Sequence, residues 1–83
     1  MVKVLLFASL RETLGTSQEF VPLPAPANVG TLLAQLRARG EPWSQALAAG
    51  KRWRVAVNQD IATLETGIKA DDEVAIFPPV TGG

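Results

Sequence analysis

Gly82 and Gly83 end the chain, behind Phe77-Pro78-Pro79-Val80-Thr81. Glycine has no Cβ, so a Gly-Gly end is the thinnest polypeptide available and can thread a channel that side chains would block. Pro78-Pro79 favours an extended polyproline form, which holds such an end away from a folded domain. Fully extended, residues 78–83 reach roughly 20 Å, enough to place Gly83 inside another protein's active site. The chemistry on offer is that of an acyl group. A carboxylate is a poor electrophile at neutral pH, and attaching a leaving group turns one hard step into two easier ones. A terminal Gly-Gly taken alone reads as a frayed end. Behind a strand and a proline pair it reads as a reactive one.

The rest of the composition concentrates attention on Gly83. The 83 residues include no His and no Cys. That removes the commonest acid–base group and metal ligand, any thiol nucleophile and any disulfide framework. Asp71-Asp72-Glu73 offers three carboxylates, but adjacent ones do not form a cage for Mg²⁺, and a tight turn before a strand accounts for them. Trp43 and Trp53 read as core or rim, Asn58-Gln59 as turn residues, and Phe7-Ala8-Ser9-Leu10-Arg11-Glu12 as a strand end followed by two solvated charges. Net charge is zero. Lys51, Arg52 and Arg54 are a short cluster and not a phosphate track, so nucleic acid is not an expected partner.

The elements that must position the tail follow from periodicity. With 47% hydrophobic and 19% charged residues, the chain is expected to form one small globular domain over residues 1–77, with residues 78–83 as an extended tail. Residues 2–9 are an apolar run read as a central strand. Val2, Val4, Leu6 and Ala8 lie on one face and Lys3, Leu5, Phe7 and Ser9 on the other. Residues 10–16 read as a polar connection. Residues 18–23 read as an edge strand, because Pro22 cannot donate to a ladder. Asn28 is placed to cap a helix, and Val29, Leu32, Leu33 and Leu36 follow at i, i+3, i+4 and i+7. Gly40 is its expected stop. A second helical piece is expected from Pro42 to Ala49, stopping at Gly50.

Residues 53–58 read as a strand with Trp53, Val55 and Val57 on one face, and residues 61–64 as a short strand or irregular segment. Residues 73–77 form the last strand, which Pro78-Pro79 stops. One main helix covers one face of a small mixed sheet. Leu5, Phe7 and Phe77 then sit on the other face, and an apolar patch there implies a partner. The apolar run near the N-terminus is too short to span a membrane and no cleavage site follows it, so a cytoplasmic protein is expected, with no membrane partner.

Phe7-Ala8-x-x-Arg11-Glu12, Val55-Ala56-Val57-Asn58-Gln59 and the run from Asp72 to Gly83 together resemble the small, sulfur-carrier subunit family of molybdopterin synthase (MoaD, or molybdopterin converting factor subunit 1). The resemblance covers nearly the whole chain, and the Phe-Pro-Pro-Val-Thr-Gly-Gly end is its most specific part. Residues 37–52 match poorly. The family often has Gly in the turn before the last strand, where this chain has Ala70 or Asp71.

The resemblance implies an α+β, ubiquitin-like β-grasp fold and a sulfur carrier that is not catalytic alone. An E1-like (MoeB-like) enzyme would use ATP to adenylate Gly83, and sulfur would replace the adenylate to leave a thiocarboxylate. The tail would enter the large (MoaE-like) subunit of a heterotetrameric synthase and pass sulfur to cyclic pyranopterin monophosphate. Gly82 would provide clearance, and Phe7, Ile61, Phe77, Pro78 and Pro79 would meet the partner. The chain itself would bind no cofactor and no metal; nucleotide enters with the activating enzyme. Three other readings stay open: a sulfur carrier for thiamine biosynthesis, a ubiquitin-like protein modifier joined through Gly83 to lysines, and an interaction domain with an inert tail.

Overall fold

Alternation in the strands and a 3.6-residue period in one helix organise the chain around a single sheet. The structure, a computed structural model, describes residues 1–48 and 53–78. Its elements in chain order are β1 (Val2–Leu6), α1 (Ala8–Leu14), β2 (Gln18–Val21), α2 (Val29–Arg37), α3 (Trp43–Ala46), β3 (Arg54–Val57), β4 (Asp60–Ile61) and β5 (Glu73–Phe77). The strands lie in the order β2-β1-β5-β3-β4. β1 and β5 are parallel, and the other neighbours are antiparallel. A mixed sheet of this order, with α2 packed on one face, is a ubiquitin-like β-grasp fold.

Val2, Val4 and Leu6 of β1, Val21 of β2, Val55 of β3 and Val74 and Ile76 of β5 point to the helical side, and all are buried. They join Val29, Leu32, Leu33 and Leu36 of α2 in one core. The expected parity holds for Val2–Leu6, for Val55 and for Val74 and Ile76. Asn28 caps α2 as its short polar side chain predicts: Oδ1 accepts from the Thr31 N–H at 2.8 Å and from its hydroxyl at 2.9 Å. The first two helix N–H groups are held from outside. Val29 donates to the Thr66 carbonyl (3.0 Å) and Gly30 to that of Leu64 (2.8 Å). A Cβ at position 30 would lie 3.2 Å from the Leu64 oxygen, which explains why a glycine stands in the first turn.

Three expectations need correction. Residues 10–16 are not a polar connection: α1 begins at Ala8, where φ is +51°, and β1 stops at Leu6. Ala8 and Ser9 thus belong to a helix, with Leu10 buried and Leu14 packed against the core. Gly15 closes α1 in the left-handed region and donates to the Arg11 carbonyl. Among the described residues three helices cover the sheet, not one. The second helical piece is a single turn, Trp43–Ala46, with Pro42 at the cap and not inside; Ala49 and Gly50 lie outside the described residues. Trp43 is core, stacked under the Arg39 guanidinium at 4.6 Å, and Arg39 also pairs with Glu19 at 2.6 Å, joining the end of α2 to β2.

Asn58 and Gln59 both have positive φ (49° and 75°), as a two-residue type I′ hairpin requires, and they connect β3 to β4. Asp71 also has positive φ, 71°. A non-glycine residue there costs about 1 kcal/mol. Asp71→Gly is therefore expected to raise the melting temperature by a few degrees. An unchanged or lower midpoint in a thermal melt would show that the Asp71 side chain offsets the strain.

Candidate functional site: the open sheet face and the root of the tail

The sheet face turned away from the helices is read from strand register. One row runs Phe20, Lys3, Glu73 across β2, β1 and β5. The next runs Gln18, Leu5, Ala75, Ala56, Ile61 across all five strands. At the tail end, Phe77 of β5 lies opposite Arg54 of β3. The Phe7 N–H donates to the Ile76 carbonyl at 3.2 Å, so β1 and β5 remain in step up to Phe7 and Phe77. Side chains on this face are mostly apolar or aliphatic-stemmed, and no helix among the described residues covers them.

Each expected site residue has a definite place here or falls outside the description. Phe7 is 46% exposed and Ile61 73%, while Phe77 and Pro78 are half-buried. Phe7 and Phe77 are neighbours at the end of the sheet where β5 stops. Ile61 is at the β4 edge, joined to them through Ala56 and Ala75. Pro79, Gly82 and Gly83 lie outside the described residues. On the helical side, Pro78 borders a groove of about 250 Å³ between α1 and α3, floored by Leu10 and Ala46 and edged by Trp53. The Trp53 indole N–H donates to the Ala48 carbonyl at 3.2 Å and the ring packs on the core, so Trp53 is a rim residue.

The base of β5 is pinned by an arrangement that spacing alone does not reveal. Asn58 donates from Nδ2 to Asp72 Oδ1 (3.1 Å), accepts at Oδ1 from the Glu73 N–H (3.0 Å), and donates its own N–H to the Glu73 carbonyl (2.8 Å). Asp72 Oδ2 takes the Lys69 N–H at 2.8 Å. The Asn58 amide, then the Lys69 N–H, hold the Asp72 carboxyl below its ordinary range. Asp72 thus works as a turn clamp, and Asn58 and Asp72, 14 residues apart, are one structural unit.

A carboxyl whose pKa is lowered on folding adds stability above its unfolded pKa, about 4, and loses it as pH falls through the folded value. Acid melts should therefore show the parent losing stability below about pH 4. Asp72→Asn should flatten that part of the curve, and identical pH profiles would remove Asp72 from the account.

Phe20 was not singled out by the sequence, yet it is 58% exposed on this face. Its signal was available: it alternates with Val21, which is core. Among the described residues no helix is long and apolar enough to cross a membrane.

The chain matches the ThiS family over residues 4–83. It is 42% identical over 83 residues to the molybdopterin synthase sulfur carrier subunit of Escherichia coli (strain K12), with the whole of both chains aligned. The protein of the same name from Haemophilus influenzae is 40% identical over 84 residues, again with full coverage of both. Among solved structures, SAMP1 from Haloferax volcanii superposes with a TM-score of 0.71 at 30% identity, covering 99% of this chain and 98% of that one.

Proposed function

The chain belongs to the ThiS family, and from its full-length kinship with molybdopterin synthase sulfur carrier subunits we propose that it carries sulfur for molybdopterin synthesis. The observation that carries this reading is the exposed apolar sheet face, which ends in Phe7 and Phe77 at the point where residues 78–83 begin. A docking face beside a thin glycine end is what a carrier needs: the face binds, and the end delivers.

In this reading Gly83 is the reacting residue. An E1-like enzyme joins the Gly83 carboxylate to AMP from ATP, releasing pyrophosphate. A sulfur nucleophile then displaces AMP and leaves a thiocarboxylate. Within the large subunit the sulfur passes to cyclic pyranopterin monophosphate, and the C–S bond at Gly83 is exchanged for a C–O bond. Gly82 lets the end pass, Pro78-Pro79 aim it, and Phe7, Ile61 and Phe77 seat the domain. Nucleotide and acid–base groups come from the partners, in keeping with a chain that has no His and no Cys. The cytoplasm, where nucleotide is abundant, is the proposed compartment.

Co-expression with the E1-like enzyme, followed by intact mass measurement, tests the proposal. The expected product is a chain with one oxygen replaced by sulfur. An unmodified mass under conditions where the enzyme consumes ATP with this chain would refute it. A second reading has its own support: the 30% identical Haloferax volcanii structure is a small archaeal modifier protein. Conjugates linked from Gly83 to lysines of other proteins would favour that reading in the same experiment.

A further inference from the structure

The proposed docking surface comprises Phe7, Ile61 and Phe77, which leaves the β2 side of the open face unassigned. That side carries two apolar side chains beside Gln18 and Lys3. Phe20, on β2, is 58% exposed and opposite Lys3. Leu5 is its diagonal neighbour across β1, within reach of an aromatic ring. Leu5 in turn is opposite Ala75, and Ala75 opposite Ala56. Through that diagonal, Leu5 and Phe20 extend the apolar row of Ile61, Ala56 and Ala75 to the β2 edge, flanked by Lys3 and Gln18.

Resting on the sulfur-carrier reading, we propose that Phe20 is a further anchor for the large synthase subunit, whose docking surface spans all five strands and offers Phe20 an apolar slot beyond the β2 edge. Area supports this extent. Strands of five, four, four, two and five residues, at about 3.3 Å per residue and about 4.8 Å apart, give the face a footprint of roughly 320 Å². A stable interface covers about 800 Å² per partner. The whole face is smaller than that, so a partner seated on it draws on its full width as well as on the tail. Use of the full width brings in β2, and the largest exposed side chain there is Phe20.

Phe20→Ala, Phe77→Ala and the parent would be titrated with the same organism's large synthase subunit by calorimetry, alongside thermal melts and sedimentation of the carrier alone. Phe20→Ala is expected to weaken binding about tenfold with a nearly unchanged melting temperature, because the ring is mostly in water in the free domain. Parent-like affinity of Phe20→Ala, with Phe77→Ala weakened, would overturn this inference and leave the sulfur-carrier reading standing. Parent-like affinity of both variants would remove the docking face itself. Parent dimers that Phe20→Ala dissociates would show the occupant to be a second copy, and that also overturns the proposal.

Discussion

One residue added after Gly83, or Gly83 deleted, is expected to abolish sulfur transfer altogether while the domain melts as the parent does. The effect is all-or-none because the proposed chemistry needs a free carboxylate at one position. An added residue converts that carboxylate into an amide, which an adenylating enzyme cannot activate. Deletion moves the carboxylate back by one residue, about 3.5 Å, well beyond the fraction of an ångström within which reacting groups must be held. The core lies between β1–β5 and α2, and no described core residue falls after Ile76. Folding is thus insulated from the change. Thiocarboxylate formation read by intact mass, paired with a thermal melt, separates the two properties. Full transfer from an extended chain would falsify the assignment of Gly83.

Phe77→Ala carries the second large effect, and it lies in binding. Aromatic anchors near the centre of an interface are worth about 2 kcal/mol or more when truncated, roughly a thirtyfold change in dissociation constant. Phe77 is half-buried in the free domain, at the end of the sheet's central strand, so some loss of stability accompanies the change. Phe7→Ala is the cleaner companion because that ring is 46% exposed before any partner arrives. Both variants should lose far more affinity for the large subunit than stability. Equal affinity with a lowered melting temperature would make these rings core and not contact.

What the chain discloses without coordinates depends on how strongly each pattern is forced. Strand faces were legible because a one-residue slip would exchange Val2, Val4 and Leu6 for Lys3, Leu5 and Phe7, and only one set is purely apolar. α2 was legible from its spacing and from the Asn28 cap. α1 was not. It is seven residues long, buries only Leu10, and carries Ser, Arg, Glu and Thr beside Ala8 and Leu14, so its local composition reads as loop. Leu10 and Leu14 at i, i+4 with Gly15 behind them were the signal. The Asn58–Asp72 clamp could not be read, because it pairs two turns that only the sheet brings together. Of the site, alternation placed Phe7 and Phe77 on their face and the family resemblance alone supplied Ile61, whereas Phe20 looked like an ordinary edge-strand residue. Pro79, Gly82 and Gly83 rest on sequence alone, since they lie outside the described residues.

The position of β5 has a mechanical consequence. It is the middle strand, parallel to β1 on one side and antiparallel to β3 on the other. Any force transmitted through residue 78 while the tail is drawn into or out of a partner loads both ladders along their length. Hydrogen bonds loaded in that direction share the force and must break together, whereas a peeled edge strand unzips one bond at a time. Under the proposed function, a tail drawn repeatedly into and out of a partner would be rooted in the part of the sheet that yields last.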